Sequence, residues 1–312
     1  MQHFDADATA AALPYPALVA ALRKLFISGC ETPPRHVHAI AAADGSPAGT
    51  MLLMPAWRAG HFIGLKAVNV FPANTQRKLP ALHAVYTLFD ASTGVALAQM
   101  DGMALTTRRT VAASALAASM LARPDAQRLL VLGAGRVAAE LPWAMRAAMP
   151  RLERFDVWAR RVEAAQALAA QWRRAGLDAH VCTELAAGVR TADIVSCATL
   201  ATTPLVHGAW LEPGTHLDLI GAFTPQMRES DGACFTRGRV FVDGDDAMLK
   251  AGDLLQAVSE GAFSSHQLQA TLAQLCRGQH AGRRDAAEIT VFKSVGHALE
   301  DLAAAELVYS GR

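Results

Sequence analysis

Leu129-Leu130-Val131-Leu132-Gly133-Ala134-Gly135-Arg136-Val137-Ala138 decides the fold of this chain. Four apolar residues read as a buried parallel strand that runs into G-x-G-x-x-A, and residues 137–149 can form a helix behind it. The order of strand, tight glycine turn and helix lifts a glycine motif above chance, because each position then has a mechanical task. Gly133 permits the turn. Gly135 has no Cβ, so a pyrophosphate can approach the backbone. Ala138 is small enough for the helix to lie close on the sheet. The free amides at the helix start, with the positive end of its dipole, suit phosphate. The expected cofactor contacts are therefore Gly133, Ala134, Gly135, Arg136, Val137 and Ala138.

The second strand, Arg154-Phe155-Asp156-Val157-Trp158-Ala159-Arg160-Arg161, bears on which dinucleotide binds. An NAD site places a carboxylate at the end of this strand, on the ribose 2′-hydroxyl. Here Asp156 lies within the strand and Arg160 and Arg161 stand at its tip. A guanidinium fork matches a 2′-phosphate and gains little from a hydroxyl. The plainer alternative is two solvated arginines opening the helix 161–175, but arginine against the helix dipole argues for a nearby anion. The expectation is NADPH, with Arg160 as its phosphate ligand and NADH as the alternative.

Working outward, 312 residues suffice for two domains with full cores. A net charge of +1 gives no reason to expect a nucleic-acid surface. The five cysteines form no C-x-x-C pair, so reduced thiols in the cytoplasm are expected rather than a disulfide framework or a zinc site. No basic, apolar leader is visible, and no apolar run is long enough for a bilayer, so no membrane partner is expected.

Ahead of the glycine turn, residues 14–29 read as an amphipathic helix with Leu18, Leu22, Leu25 and Phe26 on one face. Short strands are expected at 35–41, 50–54, 62–70, 84–90 and 95–100, making an antiparallel sheet with a flanking helix. An alanine-rich helix, 105–123, should join the two domains. Beyond it, strands at 129–132, 155–158, 179–182, 193–197, 217–221 and 239–242 alternate with helices. This predicts an α/β fold with a doubly wound, Rossmann-type parallel sheet. Pro142 should kink the helix 137–149. Residues 289–292 read as one more strand, followed by a helix from His297 to Tyr309.

Several segments resemble the ornithine cyclodeaminase and mu-crystallin family in order and spacing, over essentially the whole chain. They are Pro34-Arg35-His36-Val37, Leu53-Met54-Pro55, Gly64-Leu65-Lys66-Ala67-Val68-Asn69, Thr106-Thr107-Arg108-Arg109-Thr110, the Gly133 turn, Gly221-Ala222-Phe223-Thr224-Pro225 and Phe292-Lys293-Ser294-Val295-Gly296. The resemblance implies a homodimer. It also implies an α+β substrate-binding and dimerisation domain built from both termini (1–110 and 293–312) around a central dinucleotide-binding domain (111–292). It places Thr106, Thr199 and Ser294 on the cofactor, and Arg35, Lys66 and Arg109 on a substrate carboxylate.

The residues themselves fit that picture. Arg35 begins an extended strand, Lys66 interrupts an apolar one, and Arg109 lies one helical turn beyond Leu105. Three cations from separate segments suit a carboxylate between the two domains, and a buried lysine has a lowered pKa that suits proton donation to an imine. The bland reading of Lys66 is an edge-strand lysine in water. Arg108 is expected to face cofactor phosphate or solvent. His36, His38, His216 and His297 lack metal-ligand spacing, so no metal is expected.

One departure from the family separates its activities. Its cyclodeaminase and alanine dehydrogenase branches carry an aspartate where this chain has Phe223, and phenylalanine cannot exchange a proton or orient water. Asp231, a few residues on, reads as a turn cap. The resemblance therefore implies NADPH-dependent reduction of a preformed cyclic α-imino acid, with Lys66 as the catalytic proton donor. The substrate would be Δ1-pyrroline-2-carboxylate, or Δ1-piperideine-2-carboxylate, giving proline or pipecolate. The alternatives are an alanine dehydrogenase or ornithine cyclodeaminase, and an NADPH-dependent ligand-binding protein of mu-crystallin type.

Overall fold

The computed structural model describes residues 1–311, the side chain of Thr75 excepted, so Arg312, the end of the expected C-terminal segment, lies outside the described residues. The chain divides into two compact units. The first comprises Met1–Arg109 and the segment from His297 on; the second is Thr110–Gly296.

The first unit is built on a six-stranded sheet of β1 (Gln2–Phe4), β2 (His36–Ala41), β3 (Pro47–Arg58), β4 (Phe62–Val70), β5 (Leu82–Asp90) and β6 (Ala96–Asp101). Their order is β1-β6-β5-β4-β3-β2, antiparallel except where β1 runs parallel to β6. β1 escapes sequence reading because three residues show no periodicity. β3 is longer than expected because Pro55 does not end it. Beyond Leu53, the last β3 residue facing β2, one side of β3 is open until the bridge at Trp57, so the missing proline amide costs no ladder bond there. Alternation on β4 buries Gly64, Lys66 and Val68 while Leu65 and Ala67 stay half-exposed. The C-terminal helix Ala298–Ser310 packs on β3, β4 and β5, and the helix Tyr15–Ser28 packs on it through the expected face of Leu18, Leu22, Leu25 and Phe26.

The second unit carries an all-parallel, eight-stranded sheet. Its strands are β7 (Arg128–Leu132), β8 (Arg154–Trp158), β9 (Asp178–Val181), β10 (Ile194–Cys197), β11 (His216–Leu219), β12 (Arg239–Val242), β13 (Leu268–Thr271) and β14 (Thr290–Lys293). They run in the order β13-β12-β14-β11-β10-β7-β8-β9. From β9 to β14 this is the doubly wound Rossmann order, with β7 as its first strand and the reversal falling between β7 and β10. β12 and β13 extend the edge beyond β14. β13, four residues long, is a second strand that periodicity missed. β7 is fully buried from Leu129 to Leu132, as its unbroken apolar run requires when helices cover both faces. The helix Arg136–Ala148 continues through Pro142 without a break.

Candidate functional site

In open α/β sheets a ligand binds where the strand order reverses, outside the carboxyl ends of the strands. The second unit has a cleft of about 480 Å³ at that point, between residues 133–135 after β7, 158–161 at the end of β8 and 198–203 after β10. Gly133 has φ +115°, and a Cβ there would meet the Ala198 carbonyl oxygen at 2.5 Å, so the turn and the β10 loop approach as only glycine allows. A Cβ on Gly135 would meet nothing within 4 Å. Gly135 caps the helix Arg136–Ala148 with no side chain of its own, leaving the first amides open. Ala138 is fully buried, and Trp172 Nε1 donates to the Ala139 carbonyl (3.0 Å), fixing this helix against the next. The tight turn, the open approach at Gly135 and the uncapped helix start fit a dinucleotide pyrophosphate.

At the ribose end, Arg160 and Arg161 are exposed and line the cleft. Asp156 is committed elsewhere: Arg128 Nε lies 2.6 Å and Arg154 Nε 3.3 Å from its buried carboxylate. Thr199 lines the cleft too, with its amide and Oγ1 both donating to Glu229 Oε1 at 2.7 Å. Ser294 is buried directly after β14 and its amide donates to the Leu219 carbonyl (3.1 Å).

The first unit gathers Lys66 and Arg109 around acids that sequence reasoning missed. Lys66 is 2% exposed on β4, an interior strand, which removes the edge-lysine reading. Its Nζ lies 2.6 Å from Asp301 Oδ2 and 3.4 Å from Thr106 Oγ1. Arg109 donates from Nε to Asp301 Oδ1 (2.9 Å) and from Nη1 to Glu300 Oε2 (2.6 Å). Glu300 and Asp301 occupy the first turn of the C-terminal helix, where the dipole favours acids. Two cations thus meet two carboxylates in a fully buried cluster. Burial pushes the Lys66 ammonium down to about 8, with Asp301 opposing the shift and Arg109 adding to it. For Asp301, burial works upward, but Lys66 and Arg109 overcome it and hold the carboxyl below its usual range.

Arg35 is half-buried one residue ahead of β2. His36 pairs with Leu53 and Leu53 with Ala67, so Arg35 stands beside the row that carries Met54 and Lys66. Two strand spacings put it roughly 10 Å from Lys66 along the sheet. Arg108 corrects its expectation of facing phosphate or solvent. Its guanidinium lies over the Tyr15 ring, 4.5 Å from the centroid, and Nη2 donates to the Ala10 carbonyl (3.1 Å). The helical repeat turns it away from Arg109's side, toward the amino-terminal helices. Phe223 is 42% exposed, in a turn entered through Ala222 at φ +51°. Asp231 is a cap, as read: its side chain accepts from Cys234 N at the start of the helix Gly232–Arg237.

A two-unit fold with a dinucleotide cleft at the switch point of a Rossmann-type sheet defines a nicotinamide-nucleotide-binding class. Within that class, the chain belongs to the ornithine cyclodeaminase/mu-crystallin family, whose sequence pattern matches residues 8–311. A Δ1-pyrroline-2-carboxylate reductase of Paracoccus denitrificans (strain Pd 1222) is 42% identical over 265 residues, covering 85% of this chain and 84% of its own. The structure of Thermococcus litoralis Δ1-pyrroline-2-carboxylate reductase, in complex with NADH and L-proline, is similar with a TM-score of 0.90 at 28% identity, covering 99% of this chain and 97% of that one. An archaeal alanine dehydrogenase dimer with bound NAD has the same TM-score and identity, covering 99% and 95%.

Proposed function

We propose that this protein reduces cyclic α-imino acids with NADPH, turning Δ1-pyrroline-2-carboxylate into L-proline and accepting Δ1-piperideine-2-carboxylate to give L-pipecolate. Backbone similarity cannot choose between a reductase and an alanine dehydrogenase, since both stand at a TM-score of 0.90. The observation that carries the choice is Phe223, an aromatic ring where a deaminating site needs a carboxylate; the 42% identity to a named reductase agrees with it. A bound nicotinamide supplies hydride for the imine carbon. Arg109, held through Nε and Nη1 by two carboxylates, presents a fixed guanidinium plane to the substrate carboxylate, with Arg35 as second cation. Lys66 gives its proton to the ring nitrogen, and Asp301 holds the ammonium in place.

The test follows nicotinamide absorbance with each imine and, separately, ammonia release from ornithine. Imine-dependent oxidation of NADPH without ammonia release is the expected result. Ammonia release would overturn the argument from Phe223, and tight NADPH binding without turnover would favour a carrier. In the same assay Arg160→Asp should lower the NADPH-to-NADH preference by roughly 10- to 100-fold, the worth of one or two hydrogen bonds to a charged group. An unchanged ratio would remove Arg160 from the phosphate site.

We also read the protein as a homodimer. One face of the six-stranded sheet takes the C-terminal helix, while the alternate residues, among them Leu53, Leu65, Val85 and Phe89, stay partly exposed. An apolar sheet face of this kind calls for a partner surface, and a two-fold copy supplies one. Solution scattering at micromolar concentration should return twice the chain mass; a monomer would count against it. Among the described residues no helix is long and apolar enough to cross a membrane. The sequence has five cysteines and no C-x-x-C pair, which suits a reducing compartment, and we place the protein in the cytoplasm.

A further inference from the structure

A doubly wound sheet takes a dinucleotide across two halves, one for each nucleotide. The phosphate turn after β7 and the ribose end of β8 belong to the first half. The second nucleotide, with its nicotinamide, therefore falls to the carboxyl ends of β10, β11 and β14. β14 ends at Lys293, and the chain leaves it as Ser294-Val295-Gly296. This segment lies outside the strand, yet Ser294 is only 6% exposed. Backbone amides in such a place need partners other than the ladder. Ser294 N finds the Leu219 carbonyl at the end of β11 (3.1 Å). Val295 N and Gly296 N both find one side chain, Asp243.

Asp243 is the first residue beyond β12 and is 2% exposed. β12 and β14 run parallel with Val242 opposite Lys293, so Asp243 comes level with Ser294. Its own amide donates to the Lys293 carbonyl (3.2 Å). Its Oδ2 receives Val295 N at 2.8 Å and Gly296 N at 2.7 Å, and its Oδ1 receives Gly244 N at 2.9 Å. Gly296 stands at φ +81°, in the kind of turn where successive N–H groups converge on an anion. Here that anion is the protein's own carboxylate. A hydroxyl has one oxygen and a carboxamide turns an amino group to one side, so either would leave Gly244 N or the Val295–Gly296 pair unmatched. None of these bonds uses the Ser294 hydroxyl. With its amides engaged, the segment has that hydroxyl and its carbonyls to offer a ligand. A hydroxyl both donates and accepts, which matches the oxygen and the amino group of a nicotinamide carboxamide.

We propose that Asp243 is a positioning residue for the nicotinamide end of the cofactor. It anchors the segment after β14 by the Val295 and Gly296 amides, so that the Ser294 hydroxyl is already in place for the carboxamide. The proposal rests on the cleft being a dinucleotide site. Asp243 acts through Ser294 and not on the cofactor itself. Asparagine in its place keeps the shape but removes the charge and one of the two acceptor oxygens. Charge-assisted amide bonds are roughly twice as strong as neutral ones, so the anchor weakens on both counts. Binding must then order the segment as well, and that cost falls on the nicotinamide half alone. The Gly133 turn and the ribose end at Arg160 stand on other strands and keep their geometry.

The experiment compares NADPH with 2′-phospho-ADP-ribose, the same molecule without its nicotinamide, by titration calorimetry with no imine present. The wild type should bind NADPH more tightly than the fragment. In Asp243→Asn the NADPH affinity should fall roughly tenfold, the scale of one hydrogen bond to a charged group, while the fragment affinity stays unchanged. Ser294→Ala, with the amide anchors intact, should lower the NADPH-to-fragment ratio in the same direction. An aspartate that serves the fold alone would weaken both ligands alike or neither, and either result overturns the proposal. Equal wild-type affinity for the two ligands also overturns it. So does a wild-type ratio in Ser294→Ala, a measurement that decides the matter even where Asp243→Asn does not fold. Each of these results leaves the reductase reading intact. Failure of the wild type to bind either ligand would overturn both.

Discussion

Lys66→Met should lower kcat/KM for the cyclic imine by roughly 10²- to 10³-fold, the range for losing a placed general acid. NADPH affinity should stay unchanged, because the lysine belongs to the first unit and the cleft to the second. The wild-type pH profile supplies an independent check. Proton donation needs the charged ammonium, which burial leaves with a titration point at about 8. Activity should therefore hold below that pH and fall as pH rises through it. In Lys66→Met this alkaline limb should vanish from the residual rate. An unaltered imine rate in the variant would take Lys66 out of the mechanism. A wild-type rate that climbs through pH 8 would show that the lysine works, if at all, as a base.

Lys66 was legible as an oddity because the signal is local: one cation in an otherwise apolar strand. The Gly133 turn was legible for the same reason, since strand, turn and helix lie within about one motif of sequence. What could not be read is what those residues meet. Asp301 lies 192 residues from Arg109, on a helix whose pattern shows only an acidic first turn, an ordinary place for acids. Arg108 was assigned to solvent or phosphate because its ring partner, Tyr15, belongs to a distant helix. Glu229 looked like one polar residue among several between Gln226 and Asp231. Its buried contact with the Thr199 amide and hydroxyl comes from parallel strands that bring the ends of β10, β11 and β14 together, a non-local fact. The short strands β1 and β13 fall below the length at which alternation carries information.

Asp301→Asn should separate the electrostatic role of the acid from its shape. The amide fills the same space, but Lys66 and Arg109 then share Glu300 as the one remaining carboxylate of the cluster. Removing one partner from a buried ion pair commonly costs about 3–5 kcal/mol, because the cations left behind are desolvated without compensation. For a protein of this size that corresponds to a fall in melting temperature on the order of 10 °C. The second effect is on Lys66 itself. Asp301, with a smaller share from Glu300, resists the downward push of burial and of Arg109 on the ammonium. Without it the titration point should drop below 8 by roughly one to three units. The alkaline limb of kcat/KM should then move to lower pH by the same amount, leaving little activity at pH 8 and recovering part of it at pH 6. A structural role alone would lower the rate equally at every pH. An unmoved limb in a folded Asp301→Asn variant would mean that another group supplies the proton. The same result would reduce the buried cluster to a brace for the C-terminal helix.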